Sequence, residues 1–261
     1  MSGWGVFSTV RVYSGVPFAF ERHWARLMKD ALLTRVPHPP DPAPVYAHLL
    51  DLVRANQALD STLRLSIVRN RGGLWEGPGI DRDFDLIAFT ADVKPWPEEV
   101  RLGLIPHARY AACAFAGAKI LSWACNLAWY EEAHANGFDE VVLLNERGEV
   151  SECTSANLFA AEGGVVWTPP LSSGCLPGVT RQILLDEIHV PGMEVREKAL
   201  FPADLERADE VFITSTTRHL LPVASIQGVR LHRRGCACSA LRQAFAAYVE
   251  EYVHAHRNPM V

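Results

Sequence analysis

The sequence predicts a mixed α+β protein in two parts, and three observations carry that prediction. Residues 6–13 (Val-Phe-Ser-Thr-Val-Arg-Val-Tyr) alternate with the period of a strand, the spacing turns helical from Glu21, and residues 91–99 interrupt the apolar runs with two prolines and four charges. The first strand ends at Ser14-Gly15, a turn pair, and Val16 to Phe20 return from it as a hairpin. Trp24, Leu27, Met28, Leu32 and Leu33 then fall on one helical stripe until the proline cluster at 37–44 breaks it. A second helix is expected over Val45 to Gln57, with strands at 63–69 and 84–91. The proline-rich segment sets the boundary: residues 1–93 form a small N-terminal α/β domain, 94–99 a linker and 100–261 a larger domain.

In the second part the pattern predicts strands near 101–105 and at 140–144, separated by a helix from Asn126 to Asn136. Asn145-Glu146-Arg147-Gly148 turns into a strand from Glu149 to Glu152, and Asn157 to Ala161 turns through Gly163-Gly164 into Val165-Val166-Trp167. Helix follows Gly178, strands fall at 194–197 and 210–214, and an amphipathic helix from about Ser239 to His254 closes the pattern.

Composition narrows the function classes. With 49% hydrophobic and 21% charged residues the chain is of ordinary globular make-up. Its net charge of −5 comes from dispersed residues, and the longest basic cluster is His232-Arg233-Arg234, so nucleic acid is not an expected partner. The longest uncharged run, Gly163 to Thr180, holds three prolines and four glycines and could not span a bilayer. Met1 to Val6 lack the basic and apolar regions of a signal peptide, so a cytoplasmic location is expected. The cysteines at 113, 125, 153, 175, 236 and 238 show no CxxC spacing and are expected to be reduced, buried small residues; Cys236-Ala237-Cys238 reads as a loop or helix start. The histidines show no ligand spacing, and no metal is expected.

Lys119 stands apart. It lies in the almost wholly apolar run Phe115 to Ala124, whereas Lys29, Lys94 and Lys198 have acidic, proline or polar neighbours. Burial disfavours an ammonium and makes the amine a nucleophile near neutral pH. A lysine that snorkels its head to solvent is the plainer alternative. Further segments could cooperate with it around a phosphorylated cofactor. Leu176-Pro177-Gly178-Val179-Thr180 places a turn before a helix, with Thr180 at the cap position, and a helix start is an anion site as well as an ordinary capped terminus. Thr214-Ser215-Thr216-Thr217 ends a strand with four hydroxyls, as a phosphate loop or a plain turn. Arg26 could add a bidentate charge, or be merely solvated. Glu152, beside a hydroxyl-rich turn, could keep a pyridinium nitrogen protonated. An imine-forming lysine, a carboxylate for a ring nitrogen and an anion cradle are what pyridoxal phosphate requires.

The motifs Lys119, Asn136-Gly137-Phe138-Asp139-Glu140, Gly148-Glu149-Val150-Ser151-Glu152, Asn157-Leu158-Phe159, Thr168-Pro169-Pro170 and Leu176-Pro177-Gly178-Val179-Thr180-Arg181 resemble, in order and spacing, the class IV (fold-type IV) pyridoxal-phosphate aminotransferases. That family holds branched-chain aminotransferases, D-amino-acid aminotransferases and aminodeoxychorismate lyases. Gly5 to Arg11, His23-Trp24-Ala25-Arg26-Leu27 and Glu210 to Thr217 with Leu221-Pro222-Val223 are similar to its remaining motifs, so the likeness covers roughly the whole chain. The resemblance implies a small α/β domain beside a larger β-barrel-like α/β domain, pyridoxal 5'-phosphate as cofactor and a homodimer. It makes Lys119 the Schiff-base lysine and proton shuttle, Glu152 the pyridinium partner, and Arg26, Val179, Thr180, Ser215 and Thr216 the phosphate ligands. Thr217 would orient the substrate carboxylate, Asn157 would be a supporting residue, and Arg64, Arg69, Arg71 and Arg109 are candidate carboxylate partners, Arg69 foremost. Gly72 to Gly77 could form a mobile pocket loop. Members usually carry another strand or two before the Gly-x-Gly-Val-Phe segment, so the small domain is expected to lack its first strands. Leu121-Ser122-Trp123 sits nearer the lyase and D-amino-acid branches, and Glu152-Cys153 resembles the lyases. The expected reaction is transamination between a branched-chain-like amino acid and a 2-oxo acid, with release of pyruvate from aminodeoxychorismate and a non-catalytic scaffold as alternatives.

Overall fold

Alternation and β-branched residues produce a four-stranded antiparallel sheet in the first ninety or so residues of the computed structural model, which describes residues 3–72, 81–232 and 234–257. Strand β1 (Gly5–Tyr13) turns at Ser14-Gly15 into the two-residue β2 (Val16–Pro17), and β3 (Ser61–Arg69) and β4 (Phe84–Ala91) complete the order β2-β1-β3-β4. Helices α1 (Phe20–Leu33) and α2 (Pro42–Ala55) pack on this sheet, with Leu27, Ala31, Val45, Leu49 and Val53 meeting Val6, Val10, Leu63, Leu65 and Ile67 in one core. Helix α2 starts three residues before the expected Val45. Asp41 caps it by accepting from the Ala43 N–H at 2.9 Å, and Pro42 occupies the first turn, where a missing N–H costs nothing. The expected stripe of α1 also turns: Leu32 and Leu33 are 68% and 39% exposed, while His23, Arg26 and Asp30 face inward.

The remaining strands build an eight-stranded mixed sheet. Its members are β5 (Val100–Arg109), β6 (Glu140–Asn145), β7 (Val150–Cys153), β8 (Asn157–Glu162), β9 (Val165–Thr168), β10 (Glu194–Glu197), β11 (Glu210–Ser215) and β12 (His219–Ile226), in the order β10-β9-β8-β11-β12-β5-β6-β7. Strands β7 and β8 are consecutive in the chain yet lie at and near opposite ends of that order, so the sheet curls toward a half-barrel; the Cys153 N–H donates to Ala156 C=O at 2.8 Å in the turn between them. Inside lie Leu102, Val142, Leu144, Leu158, Val211, Ile213, Leu221 and Val223. Helices α3 (Ala124–Ala135), α4 (Val179–Asp186), α5 (Pro202–Arg207) and α6 (Ala237–His256), with a 3-10 turn at Leu171–Ser173, complete the elements among the described residues. Of the cysteines, all free, Cys153, Cys175 and Cys238 are buried as expected, whereas Cys113, Cys125 and Cys236 are exposed.

The chain divides into two compact units. Met1–Lys94 form the first together with Ala118–Ser122 and Val249–Val261; Pro95–Gly117 and Trp123–Tyr248 form the second. Residues 118–122 and 249–257 thus group with the first unit rather than with the rest of 100–261. For the former the reason is main-chain pairing: β2 is short and covers only Val12 and Tyr13, which leaves the start of β1 an open edge that Ile120 fills by bridging Val6. For the latter it is Tyr252, which donates to Glu21 at 2.7 Å and packs edge-on against Phe18.

Candidate active site

In the first unit the site is built around the peptide of Lys119. The Phe7 N–H donates to the Lys119 C=O at 3.0 Å and the Leu121 N–H to the Gly5 C=O at 2.9 Å, so the lysine sits in a short antiparallel ladder with β1. On the opposite side of the same peptide, the Lys119 N–H donates to Asp30 Oδ2 at 3.1 Å. Gly5 is required at this junction, because a Cβ there would stand 2.5 Å from the Ile67 carbonyl oxygen and 2.6 Å from Leu121 Cδ1. The side chain of Lys119 lies over the Phe7 ring, Nζ being 4.6 Å from its centroid, and the Arg64 guanidinium lies 4.0 Å from the same centroid. Lys119 is half-buried, so its apolar neighbours in the sequence do not seal it fully in a core.

Helix α1 supplies the surrounding charges. His23, Arg26, Leu27 and Asp30 recur at spacings of three and four, which places them on one stripe, and the first, second and fourth are 1%, 7% and 3% exposed. Arg26 Nη2 donates to Ser8 Oγ at 3.0 Å, and Ser8 Oγ lies 2.9 Å from His23 Nδ1. Burial holds His23 well below its ordinary pKa, and the charges of Arg26 and Lys119 add to that. A neutral imidazole that accepts from Ser8 at Nδ1 carries its proton on Nε2. Burial also lowers Arg26 to about 10, against the opposing pull of Asp30, and raises Asp30 against the Lys119 N–H and the charges of Arg26, Lys29 and Lys119. Arg26 was visible in the sequence; Ser8, His23 and Asp30 were not, although their polar spacing on an otherwise apolar helix face and strand is the signal that marks them.

The second unit holds a fixed carboxylate and a set of donors. Glu152 on β7 accepts from Arg109 Nε and Nη2, both at 3.3 Å, through Oε1, and from the Leu176 N–H at 3.0 Å through Oε2. Arg109 Nη1 in turn donates to Asn126 Oδ1 at 3.0 Å, and Asn126 Nδ2 to the Thr154 C=O at 2.7 Å. Arg109, one of the candidate partners for a substrate carboxylate, is therefore the counter-ion of Glu152. The nearby Cys175 thiol is pushed up to about 12, first by burial and then by the Glu152 charge.

Leu176 is strapped from both ends, because its C=O accepts from Asn157 Nδ2 at 2.8 Å. This fixes the approach to α4, whose first residue is Val179 and whose cap is Gly178; no side chain caps the turn. Thr180 is thus the second helical residue rather than the cap, and buried. The uncapped first turn offers its N–H groups at the positive end of the helix. A Cβ on Gly178 would fall 2.1 Å from Asn157 Oδ1, so the close approach demands glycine. Arg181 faces away, donating to the Pro169 C=O at 2.8 Å and pairing with Glu197.

Ser215, Thr216 and Thr217 end β11 and turn into β12, all three half-buried. Ser215 Oγ accepts from the Arg218 N–H at 3.2 Å and from Arg218 Nη1 at 3.4 Å, which leaves its own hydroxyl hydrogen to donate elsewhere. Arg218 is held by Glu140 at 3.1 Å and by the Ser155 C=O at 3.1 Å, and stacks 3.9 Å from the Trp96 ring centroid. Thr214 Oγ1 is buried and has no hydrogen-bond partner among the described residues. The Arg69 guanidinium donates to the Arg35 C=O at 2.6 Å and the Arg71 C=O at 2.5 Å, and lies 4.2 Å over the Trp4 ring. Arg71 stands 3.9 Å from Asp81 and from Asp83. The expected loop from Gly72 to Gly77 lies, beyond Gly72, outside the described residues.

The donor types fit the group the sequence pointed to. Within the first unit an amine and a buried guanidinium both act on His23 and Asp30; the second unit, taken by itself, holds an anchored carboxylate, an uncapped helix start and hydroxyls with a hydrogen left to donate. These are the partners of an aldehyde, a phosphate and a protonated ring nitrogen.

Comparison with known proteins agrees in kind. Residues 5–226 match the family model described as amino-transferase class IV. The chain is 31% identical over 230 residues to a D-alanine aminotransferase of Bacillus licheniformis, a match covering 87% of this chain and 80% of the relative. It is 30% identical over 260 residues to a branched-chain-amino-acid aminotransferase of Salmonella typhimurium, covering 93% and 83%. A crystal structure of a provisional 4-amino-4-deoxychorismate lyase of Legionella pneumophila superposes with a TM-score of 0.86 at 26% identity, covering 94% of this chain and 91% of that one.

Proposed function

We propose, from the premise that this chain belongs to the class IV aminotransferases, that it moves the amino group of an apolar, branched-chain-like amino acid onto a 2-oxo acid. As a member of that family it is a pyridoxal-phosphate-dependent transferase. When bound, the cofactor supplies an electron-poor ring that takes up the electron pair left when the α-C–H bond of an amino substrate breaks. Lys119 would hold the cofactor's aldehyde carbon, and its Nζ, once released, would accept the α-proton and give it back on the product side. Glu152 would accept from the ring N–H, its negative charge fixed by Arg109 and the Leu176 N–H. Arg26, the N–H groups of Val179 and Thr180, and Ser215 and Thr216 would bind the phosphate, and Thr217 the substrate carboxylate.

The observation that carries this reading is the two-sided anchoring of the Lys119 peptide, to β1 through Phe7 and to Asp30, with its amine over Phe7 and its charge acting, like that of Arg26, on the neutral His23. Transamination is favoured because the curated relatives at 30–31% identity carry aminotransferase names. Elimination of pyruvate from aminodeoxychorismate is the second reading, supported by the likeness to the Legionella structure. In this reading the working form is a cytoplasmic homodimer, which light scattering on the purified protein would test.

The deciding experiment is amino-donor exchange with 2-oxoglutarate or pyruvate as acceptor. Transfer from leucine, isoleucine or valine is expected, and Lys119→Ala should lower it by about 10²–10⁴-fold or more. Pyruvate released from aminodeoxychorismate with no acceptor present would instead establish the lyase. Protein that shows no imine absorbance, with no change in Lys119→Ala, would favour a ligand-binding scaffold.

A further inference from the structure

We propose that Asp30 is a positioning residue for Lys119, holding its peptide in place and setting the pH at which its amine takes up a proton. The inference rests on the assignment of Lys119 made above.

Three local considerations oppose an aspartate at position 30, against the attraction of Arg26 one turn earlier. The residue is 3% exposed, so its charge is largely removed from water. It lies in the last turn of α1 (Phe20–Leu33), where the helix presents its negative end and a carboxylate is repelled. Aspartate is also a poor helix former, and an alanine or leucine on this inward stripe would pack on the core beside Leu27 and Ala31 without penalty. A side chain placed against three preferences is held there by something else. The partner in view is the Lys119 N–H, 3.1 Å from Oδ2, which reaches Asp30 from a segment 89 residues away in sequence.

The charges around Lys119 explain what that carboxylate adds. Arg26 and Lys29 on α1 are cationic and interact with Asp30, as does Lys119 itself. From β3, Arg64 lies over the same Phe7 ring as the lysine amine. His23, on the same stripe of α1, is neutral and held so partly by the charge of Lys119. Cations gathered about an amine disfavour its protonated form, and a nearby carboxylate favours it. Asp30 therefore counters Arg26 and Arg64 and keeps the Lys119 nitrogen able to hold a proton, while its hydrogen bond fixes the peptide from which the side chain projects.

Two substitutions separate the two roles. Asp30→Asn keeps an acceptor oxygen of the same shape and removes only the charge; Asp30→Ala removes both. In the full chain loaded with pyridoxal phosphate, the visible absorbance is titrated against pH, and backbone amide hydrogen exchange is followed at Lys119. The expected results are a midpoint lowered by about one pH unit in Asp30→Asn, and amide exchange faster by about tenfold or more in Asp30→Ala but not in Asp30→Asn. A midpoint that does not move in Asp30→Asn, or an exchange rate unchanged in Asp30→Ala, overturns the role of Asp30. Loss of the visible band in Lys119→Ala alongside either of those results would show that the lysine assignment stands and only Asp30 is misread; a band that survives Lys119→Ala removes the assignment itself.

Discussion

His23 lies between Ser8 and Arg26, 1% exposed and neutral, and that state has a cost when the solvent turns acidic. Its folded pKa is well below the ordinary 6.5, so below that value the unfolded chain binds the proton and the folded chain does not. Its contribution is fully present above about pH 6.5 and declines as the pH falls toward the folded value, by about 1.4 kcal/mol per pH unit. Urea denaturation between about pH 7.5 and about pH 5 should show that slope, and His23→Gln should flatten it. Glu149 does not interfere, because Arg147 holds it at about 2 and its contribution is lost only as pH falls from 4.5 to that value. Asp30, raised by burial, acts with the opposite sign. Lys119 stood out in the sequence because a charge among apolar neighbours is conspicuous, whereas Arg26, on a helix with other charges, was singled out chiefly through the family resemblance. Ser8, His23 and Asp30 were not, since a polar residue on a helix or strand declares itself only once the buried face is known, and the leucines at 32 and 33 pointed to the wrong one.

At the scale of elements, the turn between β11 and β12 depends on the buried Arg218–Glu140 pair. Glu140 also accepts from Ser155 Oγ at 2.7 Å and from the Thr154 hydroxyl, so the pair ties that turn to the loop after β7. Removing one partner leaves a buried charge without its counter-ion. Arg218→Ala is expected to destabilise the fold by about 3–5 kcal/mol, whereas Arg218→Met with Glu140→Leu should recover most of that loss, as read by denaturant midpoints. Pyridoxal phosphate affinity should fall in both, because Ser215 Oγ loses the Arg218 Nη1 donor and keeps only the Arg218 backbone N–H. Neither Arg218 nor Glu140 looks unusual in sequence; their meeting is a product of strand order. The same holds for β12, whose Pro222 discourages a strand assignment although the strand pairs with both β11 and β5, and for α5, whose six residues are too few to show a period. The proline cluster at 37–44 misled in the other direction, reading as a break where Asp41 and Pro42 start a helix.

For the whole molecule, two prolines and four charges mark residues 91–99 in the sequence, but no side-chain pattern marks residues 118–122 and 249–257, which belong to the first compact unit. Side-chain patterns report which face is buried, not whose main chain is hydrogen-bonded to whose. The five-residue insertion that carries Lys119 adheres to β1 through peptide groups, and peptide groups are indifferent to the side chain they bear. Its hold is therefore a matter of parity. Adding one alanine after Gly117 would let the ladder re-form with its hydrogen bonds intact and the reactive amine turned to the far face, while adding two would bring some residue back to the right face but displace the lysine by a full strand repeat. Both insertions should yield folded protein by circular dichroism that takes up no colour with pyridoxal phosphate, and moving the lysine codon to compensate the double insertion should restore it. The chemistry of this enzyme thus depends on an odd-or-even count, set by the spacing of a few small residues before the lysine.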